Sequence, residues 1–186
     1  MYRVRHKNLN NLPQRGGTLL VCNHVSYMDA LLLAGACPRP IRFLMDKDIY
    51  NLPVINAFCR ACKAIPVDAN DRKSVRTAFA QVATYLENGD IVCVFPEGHL
   101  TQDGEIAPFM RGIDLIIKRS NVQVIPVALQ GLWGSYFSRA GGHALLKCPT
   151  RFWSKVTIVV GNCVPSEETN SQLLRQQVMT LRGDQR

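Results

Sequence analysis

The chain has 186 residues, 47% of them hydrophobic, which is enough to bury a sizeable core in one domain. Its net charge of +8, from 22 Lys and Arg against 14 Asp and Glu, favours an anionic partner: nucleic acid, an anionic membrane or a phosphorylated substrate. Seven cysteines in a chain this long argue against a secreted disulfide scaffold. The basic start Met1-Tyr2-Arg3-Val4-Arg5-His6-Lys7 is not followed by an apolar stretch, so free thiols in a reducing cytoplasm are expected.

No apolar run approaches the roughly 18 to 20 residues that span a bilayer. The longest, Ala30 to Ala36, is far too short. There is no internal repeat and no low-complexity segment.

Taken in chain order, Gly16-Gly17 forms a turn ahead of Thr18 to Cys22, which reads as a buried strand. Ser26 to Ala36 reads as a helix capped by Ser26 and stopped by Pro38. Ile41 to Met45 is a second strand, Pro53 to Cys62 a short helix with proline at its start, and Ala64 to Val67 a brief strand. Asp71 to Asn88 is the clearest helix. Its Val75, Ala78, Phe79, Val82 and Leu86 follow helical spacing, and Gly89 closes it. Ile91 to Phe95 is a buried strand, Gly112 to Ser120 a short helix, and Val124 to Leu129 a strand. Lys155 to Val160 alternates like a half-exposed strand, and Glu167 to Arg182 is a polar terminal helix.

Continuous apolar strands alternating with helices predict an α/β fold: a single domain with a mostly parallel sheet flanked by helices. The domain spans 1–186, with a motif-bearing core over about 13–164 and the terminal helix over about 167–182. Ligands in such sheets bind at the carboxyl ends of the strands. Two strand exits there carry titratable groups: Asn23-His24-Val25-Ser26-Tyr27-Met28-Asp29 and Phe95-Pro96-Glu97-Gly98-His99.

His24 and Asp29 are five residues apart, about 140° around a regular helix, so they meet only with His24 in the loop and Asp29 in the first turn. An Asp that holds one ring nitrogen of a His leaves the other as a general base. Ser26-x-x-Asp29 also fits a plain capping box. Glu97 can bind a hydroxyl or a cation, or simply sit in a turn with Gly98. Cys59-Arg60-Ala61-Cys62 has metal spacing but no second cysteine pair, and two cysteines at i, i+3 on a helix read as core. Two aromatic and basic stretches, Leu132 to Arg139 and Arg151 to Lys155, suit a membrane interface, single-stranded nucleic acid or packing under loops. Lys and Arg are scattered rather than striped, which argues against nucleic acid as a partner.

These motifs resemble the glycerophospholipid acyltransferase family of the lysophosphatidate acyltransferase type, from about Tyr2 to Val164. Asn23-His24-x-x-x-x-Asp29 matches its catalytic block. Phe43 to Asp68, ending Ala64-Ile65-Pro66-Val67-Asp68, looks like its second, Phe95-Pro96-Glu97-Gly98 matches its third, and Val124-Ile125-Pro126-Val127 its fourth. The resemblance implies that His24 deprotonates a glycerol hydroxyl while Asp29 orients the ring. The alkoxide then attacks the thioester of acyl-coenzyme A or acyl-carrier protein, with no acyl-enzyme, no metal and no cofactor. Glu97, with Gly98 and Asn23, would position the acceptor.

Family members that act on lysophosphatidate usually carry Arg where this chain has Ala69 and Leu100. Arg111 in Phe109-Met110-Arg111-Gly112 is the best substitute, with Lys47, Arg72 and Lys73 as further options. The pattern is similar to the branch acting on 2-acyl-glycerophosphoethanolamine, often fused to a transporter. The resemblance thus implies a lysophospholipid acceptor with a head group, ahead of lysophosphatidate itself or a non-catalytic lipid-binding role. It also implies peripheral attachment to the cytoplasmic face of a bacterial inner membrane, through the Ile49 to Cys62 region and the aromatic loops.

Overall fold

The computed structural model describes residues 2–140 and 155–185. Its strands are β1 (Arg3–Lys7), β2 (Thr18–Cys22), β3 (Ile41–Asp46), β4 (Ile65–Val67), β5 (Ile91–Val94), β6 (Gln123–Gln130) and β7 (Lys155–Val160). They form one sheet in the order β1-β7-β6-β2-β5-β3-β4. Every neighbouring pair is parallel except β6 with β7. The expected mostly parallel α/β sheet is therefore present. The fully apolar strands take its middle, where β2 is buried at every position between β5 and β6.

The helices are α1 (Asp29–Ala36), α2 (Lys47–Tyr50), α3 (Pro53–Ala61), α4 (Arg72–Glu87), α5 (Gly112–Ser120) and α6 (Ser171–Arg182). Successive strand residues point to opposite faces, so each strand feeds two cores. On one face Leu20, Cys22, Phe43 and Cys93 pack with Leu33 of α1 and Cys59 of α3. On the other, Leu19, Val21, Val92 and Val94 pack with Val82 of α4, Ile116 of α5 and Leu174 and Val178 of α6. Cys59 is fully buried, as the core reading of that cysteine pair requires.

Three local expectations are corrected. The basic Arg3–Lys7 segment, not read as structure, is an edge strand alongside β7; four of its five residues are exposed, which hides the apolar alternation that normally marks a strand. The first helix begins at Asp29 rather than Ser26. Ser26 instead accepts the Met28 N–H at 3.2 Å in a turn that precedes the helix. The terminal helix begins at Ser171, because Ser166–Glu168 forms a separate 3-10 turn and Asn170 caps the helix by accepting from Leu173 N–H.

Candidate functional site

Adjacent parallel strands deliver both motifs to one place. Val21 of β2 pairs with Val94 of β5, so His24 and Glu97 each lie three residues beyond a matched pair. His24 leaves the sheet in the loop, Asp29 opens α1, and His24 Nδ1 lies 2.9 Å from Asp29 Oδ2. The same oxygen accepts the N–H groups of Val25 at 2.7 Å and Ser26 at 3.0 Å. The bond to Ser26 closes the turn ahead of α1, so Asp29 both opens its helix and holds the imidazole.

Asp29 is fully buried, and its Oδ1 has no partner among the described residues. A buried carboxylate with an oxygen left over favours positive charge beside it, which suits an imidazolium formed during proton transfer. His24 Nε2 has no hydrogen-bond partner among the described residues, and the side chain is 23% exposed. With Nδ1 held by the carboxylate, Nε2 is the nitrogen left to take a proton.

The rest of His24 is equally constrained. Its N–H donates to Glu97 Oε1 at 2.7 Å, and its carbonyl accepts from Thr101 N–H at 2.9 Å. Phe95 stacks on the ring, with centroids 4.3 Å apart, and Phe43 backs Phe95 in turn. Neither Phe95 nor Thr101 is singled out by sequence reasoning. The usable signal for Phe95 is an aromatic at the exit of the strand beside β2.

Several expected acceptor contacts turn inward. Glu97 is 3% exposed, and its two oxygens accept His24 N–H and Ala107 N–H, the latter at 2.8 Å. Burial pushes its carboxyl above the usual carboxylate value, and the two backbone donors pull the other way. It ties two loops together rather than reaching for a hydroxyl. Asn23 is also fully buried. Its amide donates to Leu129 O at 3.1 Å and accepts Leu129 N–H at 2.8 Å, adding a side-chain rung between β2 and β6. Lys47 pairs with Asp68 Oδ2 at 2.7 Å, which occupies the ammonium.

Gly98 has a φ of +73°, and a Cβ there would come within 2.5 Å of Met110 Sδ, so the turn after Glu97 needs glycine. Of the expected basic residues, Arg111, Arg72 and Lys73 are exposed. Arg111 takes the N-cap position of α5, its carbonyl accepting Asp114 N–H at 3.1 Å, and its side chain makes no hydrogen bond or ion pair among the described residues. It lines an open groove of about 800 Å³ with Phe109, Gln172 and Arg175. Leu100, one of the two positions where the resemblance leads one to expect Arg, is 4% exposed. Burial pushes the thiols of Cys22 and Cys93 up, so neither is poised as a nucleophile.

The stretch 132–139 packs against the site through its small and aliphatic residues, while Trp133, Tyr136 and Phe137 stay half-buried. Leu132, Ser135 and Ser138 are buried, Tyr27 N–H donates to Phe137 O at 3.3 Å, and Trp133 lies against Gly104. Of the second stretch, residues 151–154 lie outside the described residues and Lys155 opens β7.

A mostly parallel sheet that delivers an Asp-held histidine from its central strand defines a site for general-base chemistry. The chain belongs to the Acyltransferase family, which matches residues 3–130 and so takes in both motifs. It is 30% identical over 131 residues to the 1-acyl-sn-glycerol-3-phosphate acyltransferase of Bacillus subtilis, covering 69% of this chain and 63% of that one. It is 26% identical over 131 residues to the chloroplastic 1-acyl-sn-glycerol-3-phosphate acyltransferase LPAT1 of Arabidopsis thaliana, covering 70% of this chain and 36% of that one. The match thus spans less than two thirds of either relative. In fold it is similar to the crystal structure of the 1-acyl-sn-glycerophosphate acyltransferase PlsC from Thermotoga maritima. The TM-score is 0.72 at 22% identity, over 96% of this chain and 68% of that one.

Proposed function

We propose that this chain is an O-acyltransferase that moves a fatty acyl group from a thioester, acyl-coenzyme A or acyl-carrier protein, to the free hydroxyl of lysophosphatidate. The observation that carries the reading is the 2.9 Å contact between His24 Nδ1 and Asp29 Oδ2, with Nε2 unpartnered among the described residues, inside the segment that the family matches. The relatives named above support the acceptor.

In this reading His24 Nε2 takes the proton of the acceptor hydroxyl as its oxygen attacks the thioester carbonyl. The tetrahedral centre collapses with cleavage of the C–S bond, and the thiolate leaves with the proton from the imidazolium. A thiolate departs readily, so the protein supplies a base and orientation, the base alone accounting for about 10² to 10⁴-fold. Arg111, exposed and with no side-chain partner among the described residues, is the candidate for the acceptor phosphate.

Ala69 and Leu100 favour a second reading, an acceptor whose phosphate already carries a head group, as in the branch often joined to a transporter domain. Either lipid has to be met at a membrane surface. Among the described residues no helix is long and apolar enough to cross a membrane. Exposed Leu52 beside Pro53 and exposed Leu31 on α1 offer apolar contact that supports peripheral attachment; the cytoplasmic face of a bacterial inner membrane is part of this proposal.

The test is transfer from one acyl-coenzyme A to lysophosphatidate and to lysophosphatidylethanolamine, with wild type and His24→Ala. The proposal expects transfer to lysophosphatidate that His24→Ala abolishes while liposome binding persists. Transfer confined to lysophosphatidylethanolamine establishes the second reading. Transfer undiminished in His24→Ala overturns the mechanism.

A further inference from the structure

We infer that Arg175 and Arg182, two side chains of α6, are positioning residues that hold the His24 base in place through the loop of residues 104–107. The inference rests on the acyl-transfer reading for its functional consequence. It concerns a part of the chain beyond residues 3–130, where the family match ends.

The terminal helix is firmly docked. Leu174 and Val178 are fully buried against the sheet, and Gln130 at the end of β6 donates to Leu181 O and Arg182 O at 2.9 and 3.1 Å. Those last helical carbonyls have no partner within the helix, so the amide fixes its end. Arg175 and Arg182 are seven residues apart, two turns along one face.

From that face they reach the same loop. Arg175 donates from Nε to Ala107 O at 3.0 Å and from Nη2 to Ile106 O at 2.7 Å. Arg182, itself buried, donates from Nη1 to Gly104 O at 2.8 Å and pairs through Nη2 with Glu105 at 2.9 Å. The remaining carbonyl, Glu105 O, accepts from Thr101 Oγ1 at 2.7 Å. Every carbonyl of the four-residue loop thus has a side-chain donor, and three of the four are served by α6.

The loop grips His24 from both sides. Ala107 N–H donates to Glu97, which accepts His24 N–H, and Thr101, bonded to Glu105 O, donates its own N–H to His24 O. The arginines touch no reacting atom. They fix a loop on which both backbone anchors of the base depend, and a misplacement near 1 Å can cost about 10²-fold in rate.

The test uses the full chain with Arg175→Gln, Arg175→Lys and Arg182→Gln, each shown to unfold cooperatively. Amide hydrogen exchange at His24 and Ala107 should quicken in Arg175→Gln while exchange in α4 stays at the wild-type rate. This arm needs no substrate, so it reports on the clamp even if the chain transfers no acyl group, an outcome that would sink only the functional reading. With activity present, kcat should fall about 10- to 100-fold with acceptor KM within about twofold. Arg175→Lys should lie between it and wild type. In a cycle with Glu97→Gln, the double variant should fall little further than Glu97→Gln alone, because both act through one linkage. Unchanged exchange at His24 and Ala107, or losses in kcat that simply multiply, overturns the inference. Should Arg175→Gln fail to fold, Arg175→Lys and Arg182→Gln undergo the same measurements, with smaller changes of the same sign expected and none overturning it.

Discussion

Phe95 lies against the imidazole of His24 with ring centroids 4.3 Å apart and planes 19° apart, and Phe43 stacks behind it nearly parallel, at 6.4 Å. The base is therefore fixed in rotation by an aromatic column rising from the core as well as by its carboxylate. Aromatic pairs contribute about 0.5–1.5 kcal/mol beyond the area they bury. Phe95→Leu keeps most of the volume but loses the flat contact. Steady-state kinetics should show kcat lower by about 3- to 10-fold with little change in KM, and thermal unfolding a modest loss of stability.

Asp29→Asn keeps size and leaves an oxygen for Val25 and Ser26 N–H, so the fold should survive with a small drop in Tm. It removes the charge that orients His24 and stabilises the imidazolium. The expected loss in kcat is about 10² to 10⁴-fold. Activity within a few-fold of wild type would remove Asp29 from the mechanism.

Glu97 is tested through pH. Burial raises its pKa in the fold above the ordinary value of 4.5, while two backbone N–H groups lower it less. The sign follows from linkage: a group with a raised folded pKa contributes stability that is fully present below the unfolded value. That stability is lost as pH rises through the folded one. The Tm of wild type relative to Glu97→Gln should therefore decline as pH rises from about the ordinary carboxylate value through the raised folded one. Glu97→Ala, which strands both N–H groups, should cost about 1–3 kcal/mol for each at neutral pH.

The two missing arginines separate in structural terms. Ala69 is exposed, whereas Leu100 is 4% exposed. Ala69→Arg should leave Tm almost unchanged and lower KM for lysophosphatidate several-fold if phosphate is bound on that side. Leu100→Arg has to bury a guanidinium and should destabilise by several kcal/mol, about 2–4 by analogy with other buried unpaired charges. A silent Ala69→Arg would place the acceptor phosphate elsewhere, with Arg111→Ala as the next variant to measure.

Most of the sheet is legible in the sequence because buried parallel strands are unbroken apolar runs. Thr18–Cys22 is read with its observed limits in this way; Lys155–Val160 is read with its limits from alternation, but it is more buried than the half-exposed strand expected. The strand Arg3–Lys7 is hidden because an exposed edge strand carries charge where a buried one would carry Val or Ile. At the site, the His24 and Asp29 pairing is readable from spacing and a turn. The inward roles of Asn23 and Glu97 are not, since a polar residue after a strand looks the same whether it faces substrate or a neighbouring backbone. Arg175 and Arg182 are harder still. Their partners are carbonyls 68 to 78 residues away, and a carbonyl leaves no mark in a sequence.

Asn23 ends β2 with a side chain: its amide exchanges two hydrogen bonds with Leu129 as a strand residue's own backbone would. The main chain is thereby released to turn away at His24 without giving up its hold on β6. The imidazole begins one residue from a fixed point at the end of the fully buried central strand and inherits the positional precision of the sheet. If the proposed acyl transfer holds, the base waits in place and the lipid is the partner that moves.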